Sequence, residues 1–74
     1  MSGKLSILIE KDSYGYFAYC PELKGCHTQG KTFEEAHDNI KEAIELYLET
    51  LSDIEIQEIL SKEIYSSRME VNLV

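Results

Sequence analysis

The stretch Thr32 to Leu51, TFEEAHDNIKEAIELYLETL, constrains the fold more than any other part of the chain, because its apolar residues fall at helical spacing. Phe33, Ala36, Ile40, Ala43, Ile44, Tyr47, Leu48 and Leu51 recur every three or four positions and line one side of an α-helix. A strand would divide them between two faces. Thr32 precedes the stripe and Glu35 follows three residues later, so the hydroxyl accepts from an early helix N–H while the carboxylate reaches back. No Gly or Pro interrupts the run, and Ala, Glu, Leu and Lys are strong helix formers.

The opposite side of this helix is acidic. Glu35, Asp38, Glu42, Glu45 and Glu49 step by three and four residues and mirror the apolar stripe. Like charges at these spacings repel by about 0.2–0.5 kcal/mol per neighbouring pair, so the stripe does not serve helix stability. Two uses remain: a solvated face that keeps a small protein dispersed, or a docking surface for a basic partner.

At 74 residues the chain is read as one domain, 1–74, near the lower limit for a self-sufficient core, and oligomerisation is a natural remedy. The formal net charge is -7, and between Glu34 and Glu63 ten acidic residues stand against Lys41 and Lys62, so the excess lies in the helical half. Coulomb repulsion disfavours direct binding to a nucleic-acid backbone. There is no apolar run long enough to cross a bilayer and no start of the signal-peptide kind, so a cytoplasmic protein without a membrane partner is expected. Cys20 and Cys26 are then expected to be reduced thiols.

Before the helix the chain reads as strands. Lys4 to Lys11 places Leu5, Ile7 and Ile9 on one face, and Asp12 to Gly15 supplies turn chemistry. Tyr16 to Cys20 is a short aromatic strand ended by Pro21, with Tyr16, Ala18 and Cys20 on one face and Phe17 and Tyr19 on the other. Glu22 to Gly25 makes a second turn, and Cys26 to Gln29 is a third strand. After Leu51, Ser52 and Glu55 form a second capping pair ahead of Ile56, Ile59, Leu60 and Ile64, which predicts a short second helix. Met69, Val71 and Leu73 alternate with Arg68, Glu70 and Asn72 and predict a final strand, paired with this sheet or with another subunit's. The expected fold class is α+β: a three-stranded antiparallel sheet plus a C-terminal strand, with one long helix on a face, in the order β-β-β-α-(α)-β.

Little in the chain points to chemistry. Cys20, Cys26, His27 and His37 lack the short spacings that preset two metal ligands on one turn, so no metal or other cofactor is expected. Cys26 and His27 are adjacent, and neighbours on a strand point to opposite faces, so they do not form a nucleophile–base pair. Gly3, Gly15, Gly25 and Gly30 are scattered and make no phosphate loop. Tyr16 and Tyr19 lack the basic neighbours that base-stacking sheets carry, which favours core packing or subunit contact. The chain is read as non-enzymatic, with no catalytic residue.

The run from Leu5 to about Glu49 resembles the N-terminal domain of HicB-type antitoxins and the small stand-alone proteins grouped with it. The resemblance rests on an ordered set: Glu10, Asp12 and Gly15; Ala18, Pro21 and Leu23; Gly25 and Cys26; Gly30, Thr32, Glu35 and Ala36; Ile40, Ala43 and Leu48. It implies a truncated ribonuclease-H-like fold of β-β-β-α-β type without the catalytic carboxylates. It also implies a partner, HicA, a small basic toxin that cleaves messenger RNA with a histidine, and about 25 residues follow the match, too few for the DNA-binding domain of longer family members. The expected function is that of an antitoxin-like inhibitor, a homo-oligomer such as a dimer or tetramer, that docks the toxin through Glu35, Asp38, Glu42, Glu45 and Glu49. The turns around Asp12 and Glu22 are a second contact surface to consider. The alternative is an orphan oligomeric module that binds another protein or a small ligand.

Overall fold

Three short antiparallel strands, β1 (Leu8–Asp12), β2 (Gly15–Tyr19) and β3 (His27–Gly30), lie in the order β1-β2-β3 and are followed by two helices, α1 (Phe33–Leu48) and α2 (Asp53–Leu60). The structure, a computed structural model, describes residues 2–74. The β1–β2 hairpin turns through Ser13 and Tyr14, with Asp12 paired to Gly15 and the Asp12 Oδ1 accepting from the Tyr14 N–H at 2.8 Å. Its strands pair Leu8 with Tyr19 and Ile9 with Ala18; β2 then pairs Ala18 with Thr28 and Tyr19 with His27.

α1 covers one face of this sheet, as its apolar stripe predicts. Thr32 is its N-cap: the hydroxyl accepts from the Glu35 N–H at 3.0 Å, while the Glu35 carboxylate accepts from the Lys31 N–H at 3.3 Å. Ala36, Ile40 and Ile44 are buried against Ala18, Cys20, Leu23 and Cys26, and these seven side chains are the core. Most are small, so helix and sheet approach closely. At Gly30 a Cβ would stand 2.6 Å from the Ala36 nitrogen, so only glycine fits under the first turn of α1.

The connection from β2 to β3 is a pair of tight turns, Leu23 N–H to Cys20 C=O at 3.1 Å and Cys26 N–H to Leu23 C=O at 3.0 Å. It drives Leu23 into the core, and the Tyr47 hydroxyl fastens it to α1 by donating to the Lys24 carbonyl at 3.1 Å. Glu22, in the same connection, is buried. One oxygen of its carboxylate accepts from both the N–H and the hydroxyl of Ser6 at 2.9 Å, and the other from the Cys20 thiol at 3.6 Å. Burial alone would push this carboxyl up; the Ser6 hydroxyl and N–H, its own backbone and the Cys20 thiol outweigh it and hold the group below its ordinary range.

The observed strands are shifted by a residue or more from those expected. β1 begins at Leu8 rather than Lys4, because Pro21 has no N–H to continue the ladder and the Ser6 N–H goes to Glu22 instead. α2 carries the expected capping box, with the Ser52 N–H donating to Glu55 Oε1 at 3.0 Å and the Glu55 N–H to Ser52 Oγ at 3.2 Å. Ile64 lies beyond its end. The final strand expected over Arg68 to Leu73 is not formed: residues 62–74 have no regular structure and every one of them is exposed. A strand needs an edge to pair with, and the single chain does not bring this segment to one. The radius of gyration is 14.4 Å and the longest extent 48 Å, against about 11 Å for a compact domain of this length, so the segment projects from the body.

Two outcomes test this arrangement. Gly30→Ala should lose about 1–3 kcal/mol by pushing α1 off the sheet, read as a lowered urea midpoint; an unchanged midpoint would contradict the close approach. Because Glu22 titrates below its ordinary 4.5 when folded, its contribution is complete above that pH and disappears as pH falls through the folded value. Glu22→Gln should therefore lower Tm at neutral pH and flatten its decline in acid; a decline parallel to that of the parent would contradict it.

Candidate partner-binding surface

Glu35, Asp38, Glu42, Glu45 and Glu49 are all exposed, on the side of α1 turned away from the sheet. A helix turns by about 100° per residue, which puts the four from Asp38 to Glu49 on one side, opposite Ala36, Ile40 and Ile44. Glu35 belongs to the same stripe but is engaged in capping α1. Among the described residues the one close contact between a basic and an acidic side chain is that of His37 Nδ1 with Asp38 Oδ1, at 3.8 Å. The last turn of α1 contains no basic residue, so Glu45 and Glu49 also face the negative end of the helix dipole. Lys41, exposed on the same helix, is the one lysine among these carboxylates, so the face keeps a strong excess of negative charge.

The second exposed surface is the sheet face that α1 leaves open. Phe17 and Tyr19 project there, as their alternation with the buried Ala18 and Cys20 requires. Phe17 stands 5.7 Å from Tyr19 and 5.5 Å from His27 between ring centroids. This aromatic group borders two open hollows. The larger, about 710 Å³, lies at the hairpin end between Tyr14, Tyr16 and Phe17 and is flanked by Lys11, Lys31 and Glu35; the smaller, about 310 Å³, lies beside Tyr19, Pro21 and His27. Asp12 lines the first, so this expected contact turn is at the surface, whereas Glu22 is withdrawn into the core.

The reactive side chains are not brought together. Cys26 is buried and His27 exposed, so the two neighbours point to opposite sides of the strand. Burial first, and the adjacent Glu22 charge second, push the Cys20 thiol up to about 11, and burial raises that of Cys26. Both are held as thiols at neutral pH, the form that is neither nucleophile nor metal ligand. His37 lies on the flank of α1, stacked on Phe33 at 6.1 Å. Among the described residues no three His, Cys, Asp or Glu side chains converge as metal ligands would, and no helix is long and apolar enough to cross a membrane.

The sequence places the acidic stripe and puts Phe17 and Tyr19 on one face, but gives no sign that His27 completes an aromatic group with them. That depends on the β2–β3 register, which pairs Tyr19 with His27. If the stripe is free of structural duty, Glu49→Lys should raise stability by a few tenths to about 1 kcal/mol, replacing repulsion with Glu45 by attraction and suiting the dipole at the end of α1. A loss of stability in urea unfolding would show that the carboxylate holds the fold.

Residues 5–71 match the model of a family described as the HicB-like antitoxin of a bacterial toxin-antitoxin system. The chain is 64% identical over 47 residues to a UPF0150 protein of Synechocystis, an alignment covering 62% of this chain and 60%, under two thirds, of that one. It is 57% identical over 61 residues to a UPF0150 protein of Helicobacter pylori, covering 80% and 81% of the two chains. A UPF0150 protein of Archaeoglobus fulgidus is 45% identical over 62 residues, covering 82% and 90%. No solved structure matches the chain.

Proposed function

Because the chain belongs to the HicB-like antitoxin family, we propose that it is a non-enzymatic protein inhibitor that binds and blocks a small basic toxin of the HicA type, an mRNA-cleaving ribonuclease. The observation that carries this reading is the excess of negative charge on the outer face of α1: five exposed carboxylates on one rigid side, with Lys41 the one lysine beside them and no basic side chain in the last turn. Such a face attracts a basic protein and competes with RNA phosphates for the same cationic surface. Asp38, Glu42, Glu45 and Glu49 do the steering, Glu35 contributes from the N-terminal turn, and one carboxylate approaches the toxin's histidine. The aromatic face of Phe17, Tyr19 and His27 offers apolar area for a second contact.

The reading includes a truncated ribonuclease-H-like domain, supported by a three-stranded sheet with one covering helix, and a homo-oligomer in the cytoplasm, supported by the small core. The larger hollow, with its aromatic and mixed-charge lining, favours a second reading: an orphan oligomeric module that takes a different protein or a small ligand.

A tagged pull-down from the native host at low and high salt separates the two. Retention of a small basic protein at low salt supports the inhibitor; recovery of the chain alone, with the toxin shown to be expressed, supports the orphan module. With the partner in hand, replacing Asp38, Glu42 and Glu45 together by Lys should slow association about tenfold or more at low salt and flatten its salt dependence. Unchanged association kinetics would remove the stripe from the mechanism.

A further inference from the structure

We propose that the segment Arg68 to Leu73 pairs as a strand with the outer edge of β1 in a second copy of this chain, and that the exchange is reciprocal. Two unfilled halves of one interface are present in each molecule. The first is the β1 edge. The Cys20 N–H donates to the Cys26 carbonyl at 3.0 Å, so Tyr16, Ala18 and Cys20 are the β2 residues whose backbones turn towards β3, and Phe17 and Tyr19 turn towards β1, at Glu10 and Leu8. The N–H and C=O of Ile9 and Lys11 therefore point out of the sheet, where no strand among the described residues meets them. The other edge is defended: β3 is four residues long, and its outward Gln29 carbonyl accepts from Asn39 Nδ2 at 3.1 Å.

The second half is the segment itself. Most of the described large apolar side chains that are exposed lie beyond Leu51, among them Met69 at 82% and Leu73 at 90%, and surface of this kind marks an interaction site. Met69, Val71 and Leu73 alternate with Arg68, Glu70 and Asn72, so one face of the segment as a strand is apolar and the other polar. Residues paired across a ladder share a face. Laid beside β1, the apolar set meets the half-buried Leu5, Ile7 and Ile9 under the helices, and the polar set falls on the open side with Glu10.

The occupant is a second copy because the segment leads away from its own sheet. After Ser61 there is no further turn, the residues to Val74 contain neither Gly nor Pro, and the molecule reaches 48 Å along its longest axis. A donor segment and an acceptor edge on the same chain form a self-complementary contact that a two-fold axis closes. The exchange specifies the contact within the homo-oligomer proposed above and does not depend on a toxin.

The test is mass by light scattering together with amide exchange, on the whole chain and on Val71→Asp, which sets a charge in the apolar row of an exposed segment and leaves the core untouched. The parent should run at twice its 8.5 kDa chain mass, with the Ile9 and Lys11 amides protected; Val71→Asp should run as a monomer with an unchanged helical signal and lose that protection by about tenfold or more. Glu70→Gln, on the polar row, should remain dimeric. A parent of single-chain mass overturns the proposal, whether or not the Ile9 amide is protected, as does a Val71→Asp variant that stays dimeric. So does a dimer in which both amides exchange as fast as in Val71→Asp. Any of these leaves the inhibitor reading open, since Val71→Asp keeps the α1 carboxylates and its toxin binding is measurable separately.

Discussion

The approach of α1 to the sheet, closed by Gly30, Ala18 and Ala36, is the constraint on which the rest of the molecule depends. With glycine and alanine at the crossing, the helix seats its N-terminal turn almost on the backbone of β3. Leu23, Ile40 and Ile44 are the large side chains of the core, and Cys20 and Cys26 complete the lining as small apolar groups. This is economical for a short chain and leaves little reserve. A core of seven side chains buries little apolar surface, and domains of this size gain much from a second copy.

The same crossing decides what is left outside. Since α1 is pinned by one stripe, its opposite side faces solvent along its length, and the carboxylates there are displayed as a row. Since α1 covers only one side of the sheet, Phe17, Tyr19 and His27 stay open on the other. The two surfaces suit different parts of recognition: exposed charge acts at distances up to about a Debye length and governs encounter, while aromatic area acts on contact and governs residence. Neither requires a reactive group, and the thiols, both raised by burial, are withdrawn from chemistry.

How much of this was legible in the sequence follows from how local each signal is. The stripe and N-cap of α1, the Ser52–Glu55 box of α2 and the Asp12–Gly15 turn are set by residues within a few positions of one another, and all three are found. Glu22 was not legible as a buried group. A glutamate after Pro21 in a turn reads as surface, and only the meeting with Ser6, sixteen residues away, provides its partners. The start of β1 was displaced for the same reason, because the Ser6 N–H answers to Glu22 and not to a strand. The pattern of Met69, Val71 and Leu73 is strand-like, yet periodicity reports which face is apolar and not what stands beside it. Of the expected site, the position of the acidic row was readable, whereas the capping duty of Glu35 and the place of His27 beside Phe17 needed the three-dimensional register.

The proposed inhibition works by occupancy: the protein seats on the toxin and keeps messenger RNA from it. The most direct measurement is cleavage of a labelled messenger RNA by the purified cognate toxin, titrated with this protein at fixed toxin concentration. Under the proposed inhibition, cleavage should fall in proportion to the protein added and cease at a fixed stoichiometry, and salt high enough to screen α1 should shift the titration to higher protein concentration. Cleavage that continues undiminished at a large excess of folded protein would contradict it.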